Sequence, residues 1–224
     1  PLTGLTLTLI AYALGDWLYE KSGHYPLLNP VPIAIAVIAG VLWATDIPYQ
    51  DYFEGAKFVH FLLGPATVAL AIPLYQQLDQ LKRSGPALIA GVVIGAVFAS
   101  GAAVGFGWIA GASEQTLLSM APKSVTAPIA MGIAEQLGGL PSLTAVLVIL
   151  TGITGAVLGP FVLNLVKIKD WRARGLAMGV GGHGIATARA LQVNGTAGAF
   201  AGIAMGLNGL ATAILLPIIF GLVF

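Results

Sequence analysis

Hydrophobic residues gather in eight runs, at residues 2–19, 31–43, 58–74, 87–109, 126–137, 144–166, 176–191 and 199–224. Each run is apolar nearly all round instead of showing one polar face, and a helix of that kind belongs in lipid or in the centre of a large core. A helix rises 1.5 Å per residue, so crossing a hydrocarbon layer about 30 Å thick takes about 20 residues. The runs at 31–43 and 126–137 are too short for that. They read as half-helices, re-entrant segments or pieces of broken spans. The run at 176–191 is interrupted by Gly179-Val180-Gly181-Gly182-His183-Gly184, and each glycine lowers helix stability by about 1 kcal/mol relative to alanine. Three interruptions in one small chain predict a cavity among the helices. The expected fold is an all-α polytopic membrane protein with about six to eight membrane segments, some short, broken or re-entrant, forming one domain over residues 1–224. Residues 2–19 lack the basic start and small-residue cleavage site of a signal peptide, so they read as a retained first span.

The two halves, roughly 1–97 and 98–224, resemble one another at an offset of 159 − 64 = 95, which lays Leu63-Gly64-Pro65 on Leu158-Gly159-Pro160. Pro30-Val31-Pro32-Ile33 then falls near Ala127-Pro128-Ile129, and Gly91 falls on Gly181. Repeats with short segments at matching positions point to a transport site. The repeat is expected to be inverted. Against this, the positive-inside tendency puts both basic connections, Lys82-Arg83 and Lys167 to Arg174, on the cytoplasmic side, whereas equivalent loops of inverted repeats lie on opposite faces.

Composition narrows the reading further. Of 224 residues, 57% are hydrophobic and 8% charged, against about 25% charged in ordinary globular domains, and the mean hydropathy is +0.90. A net charge of +1 offers nothing to nucleic acid. The basic group Lys167, Lys169, Arg172 and Arg174 is small enough for a loop, and Tyr49, Asp51, Tyr52 and Glu54 read as an acidic aromatic loop at the interface. There is no cysteine, hence no disulfide or thiol chemistry. No phosphate-binding loop, paired metal-spaced histidines or nucleophile elbow is present, so no enzyme or cofactor is expected.

The stretch Pro122-Lys123-Ser124-Val125-Thr126-Ala127-Pro128 sets a cation and two hydroxyls before a short helix, with Pro128 suited to its first turn and Ser124 or Thr126 as its cap. A helix N-terminus carries free N–H groups and about half a positive charge, so inside a membrane cavity it attracts carboxylate. At a membrane surface the same residues would be a plain cap with Lys123 reaching water. Asn29-Pro30 opens the other short segment in the same manner. His183, Thr187 and Arg189 lie in an apolar run, where an arginine is either functional or reaches out from the segment's end. His183 is a candidate proton carrier or a structural hydrogen-bonding group. Glu135 is a candidate partner of Lys123 or Arg189, or a site for a coupling H⁺ or Na⁺. Asn208 is a candidate substrate ligand or an interhelical bridge.

Several long motifs together resemble the LrgB/CidB family: Pro122-Lys123-Ser124-Val125-Thr126-Ala127-Pro128-Ile129-Ala130, Gly155-Ala156-Val157-Leu158-Gly159-Pro160, and Ala173-Arg174-Gly175-Leu176-Ala177-Met178-Gly179 with His183 and Thr187-Ala188-Arg189-Ala190-Leu191. Gly198-Ala199-Phe200, Met205-Gly206-Leu207-Asn208-Gly209, Leu27-Leu28-Asn29-Pro30 and Gly64-Pro65-Ala66-Thr67 extend the likeness over nearly the whole chain. Two departures are Ala127, where members commonly carry Thr, and Ala186, where they carry Gly. The resemblance implies one of two functions. Family members were described as antiholin-like or holin-like partners of a small LrgA/CidA membrane protein affecting murein hydrolase activity and lysis, while plastid relatives carry glycolate and glycerate and bacterial ones are linked to pyruvate or glycolate movement. The expectation is a carrier of small 2-hydroxy or 2-oxo monocarboxylates in the inner membrane of a bacterium, or alternatively a plastid envelope. A homodimer is expected, with an LrgA/CidA-like protein as a candidate partner.

Overall fold

The computed structural model describes residues 2–25, 28, 30–62, 65, 75 and 78–223. Among them the regular structure is helical throughout, and two compact units separate, Pro1–Ala69 and Leu70–Phe224. The chain is a polytopic membrane protein. Among the described residues, three helices are individually long and apolar enough to cross a bilayer, over Gly85–Ile109, Pro141–Leu165 and Gly195–Leu222.

The first unit holds α1 (Leu2–Lys21), α2 (Pro30–Thr45) and α3 (Tyr49–Phe61), with α1 packed on both others. Glycines permit this. A Cβ on Gly15 would stand 2.7 Å from the Pro30 carbonyl oxygen, and one on Gly4 would collide with the Tyr52 carbonyl. The Thr8 hydroxyl meets the Tyr52 hydroxyl at 2.6 Å. The residues expected as an acidic aromatic loop are instead the first turns of α3: Pro48 ends the preceding turn, and its carbonyl accepts from the Asp51 and Tyr52 N–H groups. Glu54 and Lys57, three residues apart on α3, form an ion pair. The 16-residue α2 is the shorter apolar helix expected at 31–43.

The second unit holds α4 (Leu78–Ile109), α5 (Glu114–Met120), α6 (Ala127–Leu137), α7 (Pro141–Leu165), α8 (Trp171–Val193) and α9 (Gly195–Val223). Lys82 and Arg83, expected in a connection, lie inside α4, which continues through Gly85 and Pro86. The expected basic loop at 167–174 is likewise only partly a loop, because Asp170 starts α8 and places Arg172 and Arg174 in its opening turn. Leu63 and Gly64 of the repeat overlay lie outside the described residues.

α8 is the central element, packed most extensively on α9 and then on α7 and α4. Its cores are small-residue seams, with Ala186, Ala190, Ala197 and Ala201 buried in one cluster and Val92, Val180 and Ala204 in another. Large apolar side chains such as Phe98, Phe106, Trp108 and Phe161 point outward instead, which is the inside-out economy of a protein solvated by lipid, where close backbone approach drives helix packing.

Both ends of α8 are held by polar contacts. Asp170 accepts from the Arg172 backbone N–H at 2.8 Å and from its guanidinium at 2.7 Å. The Arg174 guanidinium donates to Asn164 Oδ1 at 2.9 Å and the Ile168 carbonyl at 2.8 Å, closing the α7–α8 connection. Asn194 Oδ1 accepts from the Thr196 and Ala197 N–H groups and so caps α9. The side-chain bond from Arg172, then its backbone N–H, hold the Asp170 carboxyl down at about 2. A depressed carboxyl pKa contributes stability above its unfolded value that is lost as pH falls through the folded one. The cap is therefore expected to hold at pH 4 and to fail towards pH 2, and Asp170→Asn should flatten that part of a thermal-melting series against pH.

Candidate functional site

The segment between α4 and α7 enters the helix bundle and returns. α5 and α6 are both too short to cross. The Leu140 N–H donates to Ser119 Oγ at 2.7 Å and the Thr144 hydroxyl to the Ser119 carbonyl at 3.0 Å, so the segment ends where it began. Residues 121–126 lead inward through turns closed by Lys123 N–H to Met120 and Val125 N–H to Pro122. Ala121, Pro122, Ser124 and Val125 are buried. α6 then leads back out to Gly138, whose φ of 86° is a left-handed helix stop that suits glycine. Irregular backbone at membrane depth persists only where protein or a cavity surrounds it.

The tip of this segment is tied to the middle of two helices. Asn208 Nδ2 donates to the Ser124 carbonyl at 3.0 Å and to the Val180 carbonyl at 3.3 Å. Asn208 stands near the centre of α9, a full-length span, which sets the tip near mid-membrane. Val180 precedes the interruption in α8, which breaks at His183 with φ 41° and ψ −135°. For a residue with a Cβ that backbone costs about 1–3 kcal/mol and survives only where its surroundings enforce it. The surroundings here are α7. His183 Nε2 lies 2.7 Å from the Val148 carbonyl, and since a carbonyl only accepts, Nε2 carries the hydrogen. The ring fits because residue 152 is glycine: a Cβ there would be 2.6 Å from His183 Cε1 and 2.9 Å from Nε2. Gly152→Ala is expected to displace the ring and lower the thermal midpoint by the equivalent of about 1–3 kcal/mol, while Gly132→Ala, in open space, should leave it within error.

A cavity of about 620 Å³ opens between α7 and α8, its lining including Lys123, Thr151, Thr154, Gly155, Gly181 and Gly182. Lys123 is the charged group among the described lining residues, has no carboxylate partner among them, and lies within electrostatic reach of His183. Thr151 and Thr154 escaped the sequence reading. Their signal was a polar stripe, since Thr144, Thr151 and Thr154 share one helix face at i, i+7 and i+10 in an otherwise apolar run.

Thr126 is the N-cap of α6, yet its hydroxyl makes no capping bond, and its Oγ1 is buried without a hydrogen-bond partner among the described residues. The first bond into the helix is from the Ala130 N–H to the Thr126 carbonyl at 2.9 Å. The Ala127 and Ile129 N–H groups therefore have no intrahelical acceptor, and Pro128 has none to satisfy. The oxygen Oδ1 of Asn208 is likewise buried and unpartnered.

Of the residues singled out from sequence, Lys123, Ser124, Thr126, His183 and Asn208 therefore cluster around the tip. Others do not share these contacts. Glu135 is exposed at the far end of α6 and pairs with neither Lys123 nor Arg189, because an 11-residue helix separates it from the tip. Thr187 makes a long 3.5 Å contact to the Ala201 carbonyl and belongs to the α8–α9 seam. Arg189 keeps a buried, unpartnered Nε on the second half of α8 but does not line the cavity. Asn29 lies outside the described residues.

The LrgB-like family matches residues 8–222. The chain belongs to the LrgB-like family. Among LrgB relatives, the antiholin-like protein LrgB of Bacillus mycoides is 31% identical over 97% of this chain and 94% of its own length, and that of Bacillus cereus is equally similar. An uncharacterized protein of Haemophilus influenzae is 34% identical over 94% of this chain and 92% of its own. No solved structure matches.

Proposed function

We propose that this LrgB-family protein is a secondary carrier of small 2-hydroxy or 2-oxo monocarboxylates such as glycolate, glycerate or pyruvate. The observation that carries the reading is the unpartnered, buried Thr126 hydroxyl at the N-terminus of a half-helix, at the tip of a re-entrant segment in mid-membrane. Free helix N–H groups and a hydroxyl form a carboxylate seat, and broken helices meeting at the midplane are the arrangement carriers use. Lys123 supplies the attracting charge from the adjoining cavity. The proposed setting is the inner membrane of a bacterium, with a homodimer providing the scaffold against which the moving helices shift. Inward movement of an anion against a negative-inside potential costs about 2.3 kcal/mol per charge per 100 mV, so uptake calls for a coupling H⁺ or Na⁺. His183, through its free Nδ1, is the better placed of the two coupling candidates.

The Bacillus relatives, antiholin-like LrgB proteins by name, favour a second reading, a holin- or antiholin-like membrane subunit that regulates murein hydrolase activity and lysis. Purified protein in liposomes, given radiolabelled glycolate, lactate and pyruvate in turn under imposed H⁺ and Na⁺ gradients, separates the two. Saturable uptake supports the carrier. Absence of uptake of every acid, from protein shown to be folded, sinks the carrier and leaves the subunit.

A further inference from the structure

Resting on the carrier reading, we propose that the mid-membrane site has a second entrance, shut in this conformation, along the seam between α9 and residues 121–126. It opens to the face opposite the α7–α8 cavity when that cavity closes.

The path of α8 comes first. Sixteen residues separate Gly175 from Leu191, about 24 Å along an unbroken helix. Yet Gly175 packs against Ala197 and Leu191 against Gly198, adjacent residues at the start of α9. The break at His183 therefore turns the chain back, and α8 is a hairpin that enters and leaves at one face. The bonds from Arg174 to Asn164 and Ile168 put that entry at the C-terminal end of α7. The α5–α6 hairpin is closed by Ser119 beside the N-terminal end of α7. Since α7 is a full-length span, the two hairpins enter from opposite faces, and their tips meet where Asn208 bridges Ser124 and Val180.

The sequence repeats in the same register. Ile129, Ala130, Ala134, Gln136 and Gly139 recur as Ile185, Ala186, Ala190, Gln192 and Gly195, an offset of 185 − 129 = 56. Gly152-Ile153-Thr154-Gly155 of α7 then recurs as Gly206-Leu207-Asn208-Gly209 of α9, at 206 − 152 = 54, because the connection before the span is two residues shorter in the second copy. Each span grips the other copy's hairpin: a Cβ on Gly155 would stand 3.0 Å from Gly182 Cα, and one on Gly209 2.9 Å from Ile129 Cδ1. This is an inverted repeat, contained in the second unit and distinct from the offset of 95 between the chain's halves.

The copies are alike in sequence and unlike in burial. The cavity follows α7 past Thr154, Leu158 and Val162, and Leu158 and Val162 are 50% and 48% exposed. Their counterparts on one face of α9 are Asn208, Thr212 and Leu216, exposed by 1%, 3% and 4%. Ala177 and Gly181 of α8 line the cavity, whereas their counterparts Ala121 and Val125 are buried. Ala121, Ile133 and Leu216 close the seam as one apolar cluster. Two copies of one motif can exchange conformations, since each already adopts the fold the other would take. The exchanged state shuts the crevice at Leu158 and opens its counterpart at Thr212, on the opposite face.

The chain has no cysteine, so a single introduced cysteine reports alone. Leu158→Cys and Thr212→Cys are reacted, in intact cells and in inverted membrane vesicles, with a charged maleimide that does not cross the bilayer. The two should react from opposite faces. A minor conformation is about 0.1–10% populated, so Thr212→Cys is expected to react about ten- to a thousandfold more slowly than Leu158→Cys. Gly181→Leu, at a position where a Cβ meets nothing within 4 Å, fills the cavity and hinders its closing. Added to Thr212→Cys, it should slow the reaction at least about tenfold further.

Reaction of both cysteines from one face, or a Thr212→Cys rate indifferent to Gly181→Leu, overturns the proposal. So does an inert Thr212→Cys in protein that takes up labelled glycolate saturably, and there the carrier stands. An inert Thr212→Cys, with no saturable uptake of glycolate, lactate or pyruvate by the wild type, overturns the carrier and this inference with it. Should Thr212→Cys fail to fold, Ala121→Cys on the facing wall of the seam replaces it, with the same results expected.

Discussion

Gly179→Val is expected to leave little folded protein, with a loss of about 3 kcal/mol from overpacking, seen as loss of monodisperse material in detergent or a fall of about 10 °C in Tm. The reason is the α8–α9 seam. Gly175 and Gly179, one turn apart, lay bare backbone against α9. A Cβ on Gly175 would meet the Ala197 carbonyl carbon at 3.0 Å, and one on Gly179 would meet Ala201 Cα and Ala204 Cβ at 2.9 Å each, besides colliding with the Ala201 carbonyl oxygen. These neighbours are mostly backbone and cannot swing aside. Relief would require separating the two helices, which also hold the Asn208–Val180 hydrogen bond. Gly202→Ala on α9 is the matching control, since a Cβ there meets nothing within 4 Å and the substitution should be neutral or slightly stabilising. A Tm for Gly179→Val within 2 °C of wild type would refute the close seam.

Lys123→Ala is expected to cut carboxylate uptake at limiting substrate by about ten- to a hundredfold, the equivalent of one lost charge-assisted hydrogen bond, with folding unchanged. Lys123 is partly exposed in the cavity and forms no ion pair with another described residue, so removing it breaks no internal contact of that kind. The effect should fall on substrate affinity. Lys123→Arg, which keeps the charge but spreads it over a wider fork, should retain part of the uptake, whereas Lys123→Gln should resemble the alanine. If all three variants transport as wild type does, the cavity is not on the substrate's path.

Much of the fold is legible in the sequence. Continuous apolar runs without an opposing polar face already meant lipid-embedded helices, and the shortness of 126–137 meant a segment that could not cross. The glycines before His183 marked the break in α8. Where the reading failed, the cause was local. Tyr49 to Glu54 looked like a loop because it is polar and aromatic, but Pro48 starts a helix there and Glu54–Lys57 supports it. Lys82 and Arg83 looked like a connection because charge interrupts the hydropathy, yet charge does not end a helix, and α4 runs straight through them.

The site was legible in part for the same kind of reason. The cap-then-proline pattern at Thr126-Ala127-Pro128 located the α6 N-terminus, since a proline in the first turn of a helix forfeits no intrahelical hydrogen bond. It could not say that the Thr126 hydroxyl would be left without a partner, because that depends on what surrounds it.

By itself, then, the sequence determined what is local: which segments are apolar, which are too short, where a helix starts and where it breaks. These follow from solvation and backbone preferences of neighbouring residues. Only the tertiary structure decided which polar groups meet. Asn208 and Ser124 are far apart in sequence and touch at 3.0 Å. His183 holds its strained backbone because Gly152 and Val148 of another helix receive its ring. Glu135 and Arg189, chemically as eligible as Lys123, are not among the residues that line the cavity. Hydrogen bonding and close packing act over a few ångströms, so their outcome is set by how the helices assemble and not by the order in which the chain supplies them.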